Sequence, residues 1–348
     1  MPEASGRSAR DGREHRRLST WWQDDPADPD RPEVDNPEVQ RLAARICPGA
    51  QAADLGGVMS LNMKLEPASL VLRVHQPFVS RERLLVLQEV RRRLADGGLI
   101  VPVALLWRGT QVFRCGKRWA ELEEYQRNER LAPAFEAYRW LFEAMGVLHR
   151  ALATLDLPVP RPVVATYAPP GSLRRWLPVT AAAVQDDPEA MAIVQHLRVL
   201  IRRLDAHWLP ASQLPQQLVH GDIRLSNVRR IPEGGTVYFD FGFLAWRPRV
   251  HDLAYALAFM ALALEGQEAP ERFDWRAISR LVVVYEEAAE TRLTAVEWQA
   301  LAPYAAAVLL YHAALDGFSR DPAGQLRTRI PFLRLGEWLL AHLEALGG

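Results

Sequence analysis

The chain has 348 residues, and its 42 lysines and arginines are balanced by 42 aspartates and glutamates, so the formal net charge is zero. No overall charge attracts it to nucleic acid or to an anionic membrane, and we expect neither as a partner. Hydrophobic residues make up 49% of the chain, which is enough to bury the core of one large or two modest domains.

The cysteines and the N-terminus predict a cytoplasmic protein. Cys47 and Cys115 are too few for a disulfide framework and lack the spacing of a metal site. No positively charged segment followed by an apolar run opens the sequence, which argues against a secretory signal. The longest apolar run, residues 253–264, has about a dozen residues, whereas a membrane-spanning helix needs roughly twenty. We therefore assign this run to a buried helix.

Residues 1–36 are rich in Arg, Asp, Pro and Glu and have few apolar side chains to bury, so we predict a disordered N-terminal tail. Trp21 and Trp22 interrupt this composition. Three possibilities stay open for this pair: docking on the body of the protein, docking on a partner, or no role. A short helix is predicted from Asn36 to the Pro-Gly pair that ends at Gly49.

Residues 54–65 predict a strand, a turn containing Gly56 and Gly57, and a returning strand. Because glycine has no Cβ, the backbone N–H groups of such a turn can approach a phosphate, although a plain hairpin explains the same pair. Residues 70–74 follow as a further β-rich run, which contains Arg73.

Ser80 predicts the N-cap of a helix whose apolar residues recur at helical spacing until Gly97 and Gly98 end it. Residues 99–107 and 111–115 then predict a hairpin. The rest of the chain is predominantly helical in its patterning. Its early predicted segments are a helix around 138–148, a proline-rich connector at 157–170 and a helix at 185–209.

The most informative stretch is residues 219–227, followed after a turn by residues 237–242, because it supplies Asp222, Asn227 and Asp240. Phosphoryl transfer requires a carboxylate that orients the attacking hydroxyl and oxygen ligands that hold magnesium on the nucleotide phosphates. Each of these residues alone is an ordinary turn former. Their order, and the thirteen-residue spacing from Asn227 to Asp240, together predict a kinase-like site.

Residues 220–227 (HGDIRLSN) and 239–242 (FDFG), with Asp252 soon after, resemble the aminoglycoside phosphotransferase and choline kinase family. The resemblance implies an α+β, protein-kinase-like two-lobed fold, with an N-lobe antiparallel sheet and one main helix above a mostly helical C-lobe. Residues 37–125 would form the nucleotide-binding N-lobe. Residues 126–348 would form the C-lobe, which carries the catalytic loop and the acceptor site.

The same resemblance implies a kinase that transfers the γ-phosphate of ATP or GTP to the hydroxyl of a small metabolite or antibiotic, with Mg²⁺. Asp222 would orient the hydroxyl and accept its proton. Arg224 would offset charge on the transferred phosphoryl group, with a surface arginine paired to a neighbour as the alternative. Asp240 and Asn227 would hold Mg²⁺, and Asp252 would fasten the catalytic loop.

The resemblance also implies a nucleotide site on the first half of the chain. The turn residues that would cover the nucleotide are Gly56, Gly57, Ser60 and Asn62. Arg73 stands where protein kinases carry the lysine that binds the phosphates, and Lys64 on the preceding strand is its rival.

Two acidic positions complete this implied site. Glu89 lies sixteen residues after Arg73, about where the family's helix presents a glutamate to that cation. One more solvated charge is the alternative reading of Glu89, and Glu82 is a second candidate. Residues 121–125 would be the hinge whose backbone meets the adenine, which places Glu121 and Tyr125 at the cofactor.

Only eleven residues separate Asp240 from Asp252, which leaves no room for the long segment that docks peptides in protein kinases, so we expect a small-molecule hydroxyl substrate. From Arg276 onward seven arginines face eight acids, whereas a polycationic aminoglycoside would prefer an excess of carboxylates. Homoserine-like, sugar, amino-sugar, choline-like and antibiotic hydroxyls stay open, as does the oligomeric state. The alternative function is a degenerate kinase that binds without turnover, which Arg73 and the incomplete glycine loop favour.

Overall fold

In the computed structural model the described residues are 31–57, 59–163, 165–264 and 269–346. Most of the tail predicted to be disordered lies outside them, together with Trp21 and Trp22. Residues 31–36 depart from that prediction. The Arg31 guanidinium donates to both carboxylate oxygens of Asp54 at 2.8 Å, and the Asn36 side chain accepts a hydrogen bond from the first turn of the following helix.

Five antiparallel strands form one sheet in the order β1-β2-β3-β5-β4. The strands are β1 (Gln51–Asp54), β2 (Leu61–Glu66), β3 (Leu70–Val74), β4 (Phe113–Cys115) and β5 (Arg118–Glu124). Leu61, Met63 and Leu65 are fully buried and alternate with partly exposed residues, which is the period of a half-buried strand. Helix α1 (Pro37–Ile46) packs Val39 and Leu42 into the same small core.

The hairpin predicted at residues 99–115 forms only in part, because its first strand is missing. Residues 99–107 make isolated bridges instead, from Ile100 to Val237 and from Ala104 to Glu123. Pro102 lies between these bridges and has no N–H to donate to a ladder, which is a physical reason for the interruption.

The chain beyond β5 is mostly helical, as predicted. Helix α2 (Arg81–Asp96) lies between β3 and β4. The helices after β5 are α3 (Phe135–Ala153), α4 (Pro170–Ala183), α5 (Pro188–His207), α6 (Val250–Ala263), α7 (Ala277–Ala289), α8 (Ala295–Leu315), α9 (Pro322–Thr328) and α10 (Ile330–Ala341). Two short ladders interrupt them: β6 (Gln216–Val219) pairs with β9 (Ala245–Pro248), and β7 (Val228–Arg230) pairs with β8 (Thr236–Tyr238).

Helix α8 lies in the middle of the larger core. Among the described residues, the segment Ala295–Phe318 is long and apolar enough by composition to cross a bilayer, but 89% of its most apolar window is buried inside the protein. Such burial is typical of the core helix of a globular fold. Thr294 begins the helix with a capping box in which its side chain and that of Glu297 exchange hydrogen bonds with the backbone.

A buried arginine ties the sheet-bearing lobe to the helical lobe. Arg83 lies in the first turn of α2, which Ser80 caps as predicted, and its guanidinium donates to the carbonyl oxygens of Gly242 at 2.8 Å and Leu244 at 2.9 Å. Burial lowers the pKa of Arg83 to about 10, helped by the charge of Arg247. The helix is therefore anchored directly to the loop that follows β8, where the functional groups collect.

Candidate active site

One buried carboxylate fixes the backbone of the loop between β6 and β7. Asp252, in the first turn of α6, accepts hydrogen bonds from the backbone N–H of His220 at 2.8 Å and of Gly221 at 2.9 Å. His149 donates to the same carboxylate through Nε2 at 3.0 Å, and its Nδ1 lies 3.0 Å from the Tyr285 hydroxyl. Burial alone would raise the pKa of Asp252, but the hydrogen bond and charge of His149 outweigh it and hold that pKa at about 2. The fastening role expected of Asp252 is confirmed.

The loop turns at a position that only glycine fits. Gly221 has φ +82°, and a Cβ there would lie 2.6 Å from the carbonyl oxygen of Phe243. His220 fixes both ends of the turn: its Nε2 donates to the Phe239 carbonyl at 2.8 Å, and its Nδ1 accepts from the Asp222 N–H at 3.2 Å. Both ring nitrogens are thereby occupied, so His220 braces the loop by hydrogen bonding.

Asp222 is 3% exposed, and neighbouring side chains hold its carboxylate in place. Its Oδ2 accepts from Asn227 Nδ2 at 2.7 Å and from Arg224 Nη2 at 3.3 Å, and its Oδ1 lies 3.2 Å from Arg224 Nε. The contact of Oδ1 with Arg224 is an ion pair without normal hydrogen-bond geometry, and the Tyr255 side chain also hydrogen-bonds the carboxylate. Burial raises the pKa of Asp222 more than the charge of Arg224 lowers it, which makes the carboxylate a stronger base than an exposed aspartate.

The turn between β7 and β8 brings Asp240 to Asn227, as the sequence predicted. The register pairs Val228 with Tyr238, and the Phe239 N–H donates to the Asn227 carbonyl at 2.7 Å. Asp240 follows in the left-handed region with φ 56°, a conformation that costs energy for a residue with a side chain. The structure thus holds Asp240 at the cleft against a local preference.

Arg73 reaches Asp240 across the cleft between the lobes. Its Nη2 lies 2.5 Å from Asp240 Oδ1. Burial would raise the pKa of Asp240, but the charge and hydrogen bond of Arg73 lower it to about 2, so the carboxylate is ionised. Lys64, the rival of Arg73, instead pairs with Glu66 and lies 4.0 Å above the ring of Tyr125, away from this cleft.

Asp240 and Asn227 are chemically suited to magnesium. Both present oxygen, and the Asn227 side-chain oxygen accepts only the Ser226 hydroxyl, at 3.2 Å, from the described part of the chain. No cluster of three or more His, Cys, Asp or Glu side chains suited to a metal occurs among the described residues. Magnesium on a nucleotide does not need one, because one or two protein ligands, waters and the phosphates complete its octahedron.

The β1–β2 turn brings its four predicted residues together. Asn62 donates from Nδ2 to the carbonyl oxygens of Gly56 at 2.8 Å and Ser60 at 3.4 Å, and Gly57 beside them has φ +113°. The Asn62 amide therefore shapes the turn itself, and the Ser60 carbonyl also accepts from Arg31 at 3.2 Å.

The structure places two of the acidic candidates differently from the sequence interpretation. Glu89 does not reach Arg73; it lies on the outer face of α2, where it pairs with Arg92 and Arg93. Glu121 lies in the middle of β5, 1% exposed and inside the N-terminal lobe, so its side chain is not at a hinge. Glu89 does not reach Arg73 because position 89 falls outside the buried stripe of helix α2.

Tyr125 directly follows β5, where its N–H donates to the Ser69 carbonyl at 2.8 Å.

Sequence reasoning missed Arg91 and Glu123, which form a buried ion pair behind the cleft. The helical spacing of Leu87, Arg91 and Leu94 marks Arg91 as inward-facing and is a signal that could have found it.

Comparisons with known proteins agree with this arrangement. The model of the family described as "Phosphotransferase enzyme family" matches residues 56–290. A homoserine kinase from Methylobacterium nodulans is 28% identical over 206 residues, which are 58% of this chain and 61% of that kinase. The chain thus spans about three fifths of the length of this curated relative.

Solved structures share the fold. A microcompartment-associated aminopropanol kinase has a TM-score of 0.67 at 16% identity, covering 88% of this chain and 98% of its own. An amicoumacin kinase in complex with AMP-PNP and Ca²⁺ has a TM-score of 0.61 at 15% identity, covering 84% and 88%. A spectinomycin phosphotransferase in complex with ADP has a TM-score of 0.56 at 14% identity, covering 85% and 93%. These likenesses confirm the protein-kinase-like two-lobed α+β fold.

Proposed function

The chain belongs to the phosphotransferase enzyme family, and on that premise we propose that it is a small-molecule kinase. It would transfer the γ-phosphate of ATP or GTP to an alcohol hydroxyl with Mg²⁺. The observation that carries the proposal is the buried carboxylate of Asp222, which Asn227 and Arg224 fix beside the metal-competent Asp240. A protein that only bound a nucleotide would have no use for a buried carboxylate base at this place.

In the proposed reaction Asp222 Oδ1 accepts the hydrogen bond of the acceptor hydroxyl and orients its oxygen toward the γ-phosphorus. As the new P–O bond forms, the bond from the γ-phosphorus to the bridging oxygen breaks, the nucleoside diphosphate leaves, and the hydroxyl proton passes to Asp222. The raised pKa of Asp222 favours this proton uptake. Arg224, within ion-pair distance of Asp222, stands where it can offset charge on the transferred group.

Asp240 and Asn227 would hold Mg²⁺ on the nucleotide phosphates, and the ion would supply screening of their negative charge. Arg73 would bind phosphate oxygens, because a guanidinium can donate to two oxygens at once. The β1–β2 turn, with Gly56 and Gly57, would cover the phosphates from the sheet side.

A short amino alcohol or hydroxy amino acid is the acceptor class we favour. The curated relative is a homoserine kinase and one structural neighbour is an aminopropanol kinase, both named for compact acceptors of this kind. Helix α6 brings Phe259 close to the catalytic loop, where the Arg224 guanidinium lies 5.6 Å from its ring centroid. Arginines and acids are nearly balanced from Arg276 onward, so this segment has no large excess of negative charge to attract a polycationic antibiotic.

The test is acceptor-dependent turnover. The protein is incubated with Mg²⁺ and ATP or GTP, together with homoserine, 1-amino-2-propanol, choline or spectinomycin in separate reactions, and both nucleoside diphosphate and phosphate ester are quantified. The proposal expects one acceptor to raise diphosphate formation above the rate with water, with a matching amount of ester.

The alternative is a degenerate kinase that binds without turnover, and the ion pair between Arg73 and Asp240 is the observation in its favour. Nucleotide binding with no magnesium-dependent consumption, either with water or with any acceptor, would contradict the kinase proposal and support that alternative.

A further inference from the structure

Behind Arg73 the sheet and helix α2 enclose a polar cluster with incomplete hydrogen bonding. Within the cluster, five buried side-chain nitrogen and oxygen atoms make no hydrogen bond of normal geometry to the described residues. The five atoms are Arg73 Nε, His75 Nε2, Gln88 Nε2, Arg91 Nε and Glu121 Oε1. A buried polar atom with poor hydrogen bonding costs free energy, and these atoms lie beside the arginine proposed to bind phosphate.

Arg73 and Glu121 are direct neighbours in this cluster. They are paired residues in the antiparallel register of β3 and β5, so their side chains leave the same face of the sheet. Glu121 Oε2 accepts from Arg91 Nη2 at 2.8 Å and lies 3.3 Å from His75 Nε2. Glu121 Oε1 has no hydrogen bond of normal geometry in this structure, although the Gln88 side chain is close enough to interact with this carboxylate.

Arg91 clamps this carboxylate from the helix. Its guanidinium bonds Glu121 and Glu123 at once and also donates to the Pro102 carbonyl at 3.1 Å. Helix α2 therefore presents a cation toward the cleft, and the sheet supplies the carboxylates. This is the reverse of the polarity expected from the sequence, in which Glu89 of the helix would meet the cation of β3.

Arg73 has both the electrostatic reason and the space to change partners. Burial lowers the pKa of Arg73, but the charges of Asp240, Glu123 and Glu121 outweigh it and raise that pKa, so the guanidinium stays charged. A cavity between α2 and the loop of Asp240 is lined by Arg73, Asp240 and Glu121. Arg73, Asp240 and Glu121 thus face one cavity, into which the guanidinium can move from one carboxylate toward the other.

We propose that Glu121 is the positioning residue for Arg73. When Asp240 is engaged by Mg²⁺ and nucleotide, Arg73 exchanges its contact with Asp240 for one with Glu121 Oε1, which aims the remaining guanidinium nitrogens at the phosphates. Glu121 lies on β5 and is held in place by Arg91. It replaces the helix glutamate that was expected to contact Arg73. This inference rests on the proposed function, because it requires a nucleotide in the cleft.

The test is a double-mutant cycle read as the affinity of Mg²⁺–AMP-PNP, measured by isothermal titration calorimetry so that no turnover is needed. We expect Glu121→Gln to weaken binding about tenfold in the presence of Arg73 and less than about twofold in the Arg73→Ala background. Glu121→Asp keeps the charge one methylene further away and should recover part of the loss. Glu89→Gln is the matched control on α2 and should leave the affinity unchanged.

Melting temperatures of all variants report whether the buried substitution disturbs the fold, and Glu121→Asp carries the comparison if Glu121→Gln does not fold. An equal loss from Glu121→Gln in both backgrounds, or an equal loss from Glu89→Gln, would overturn the assignment of Glu121. A wild-type protein that binds no Mg²⁺–AMP-PNP would instead contradict the proposed function, so the two failures are distinguishable.

Discussion

Arg73 and Asp240 form an ion pair that joins the two lobes, with 2.5 Å between Nη2 and Oδ1. The residue proposed to bind phosphate and the residue proposed to bind metal thereby neutralise each other in this structure. Two ionised groups in a largely buried site each lose hydration, so each needs a counter-ion. A metal–nucleotide complex supplies a positive charge to Asp240 and a negative one to Arg73, and can therefore replace the pair on both sides.

Asp240→Asn should abolish the gain in melting temperature that Mg²⁺ and nucleotide give together. The amide carries no charge for the metal, and it also leaves Arg73 without its carboxylate. Thermal shift with and without both ligands is the measurement. Asp274→Asn, which removes an exposed carboxylate paired with Arg280, is the control and should keep the full ligand-induced shift. A full shift in Asp240→Asn would contradict a role in holding the metal.

Gly221→Ala should distort the catalytic loop. A Cβ at this position would lie 2.6 Å from the Phe243 carbonyl oxygen, and φ +82° is strained for alanine. We expect a loss of about 2 kcal/mol or more in the free energy of unfolding, measured by urea denaturation. Gly234→Ala is a fair comparison, because its φ is +94° but its Cβ position has no atom within 4 Å. Equal losses in both variants would show that backbone strain alone, and not the contact with Phe243, determines the cost.

Asp252→Asn should destabilise the fold by about 3 kcal/mol, because the loop N–H groups of His220 and Gly221 would lose a charged acceptor. The folded pKa of Asp252, about 2, lies below its ordinary value of 3.8, so its stabilising contribution is present above about pH 4 and is lost as the pH falls toward 2. That contribution is about 2 kcal/mol. Denaturation curves from pH 6 to pH 2 should therefore converge for wild type and Asp252→Asn. The control Asp156→Asn, at an exposed position, should give a curve of unfolding free energy against pH that is parallel to that of wild type. A parallel curve for Asp252→Asn would refute the linkage between Asp252 and stability.

The acid limb of the pH–rate profile should report Asp222. Burial raises its pKa above the ordinary aspartate value, and Arg224 opposes that shift, so kcat should fall on acidification through a pKa above the usual range. Arg224→Gln removes the lowering influence and should move this limb to higher pH. The profile of kcat at saturating nucleotide and acceptor is the measurement. A limb that moves to lower pH in Arg224→Gln would be inconsistent with Asp222 as the base.

Local sequence signals predicted which side chains lie close together where those side chains belong to one continuous stretch. Asp222, Asn227 and Asp240 are brought together by a loop and a turn of a few residues each, so their spacing alone predicts that they meet. The fastening of the loop by Asp252 was implied by the family resemblance, and the hydrogen bonds to His220 and Gly221 confirm it.

Pairings between separate elements could not be predicted in the same way. The partner of Arg73 depends on the register of β3 against β5 and on which face of α2 packs on the sheet, and both are set by tertiary contacts. Glu89 has the right distance along the chain but the wrong helical phase. Arg91 lies in a run of three arginines that reads as a solvated face, although its position between Leu87 and Leu94 turns it inward. The position of Arg31 likewise depends on a partner distant in sequence, Asp54.

Separating chemistry from nucleotide binding in Asp222→Asn tests the central claim most directly. Single-turnover transfer of the γ-phosphate to the acceptor identified for the wild type is followed alongside calorimetric binding of Mg²⁺–AMP-PNP. The account predicts that the rate of transfer falls by about 10³-fold or more while nucleotide affinity stays within about threefold of wild type. Transfer at the wild-type rate in Asp222→Asn would contradict it.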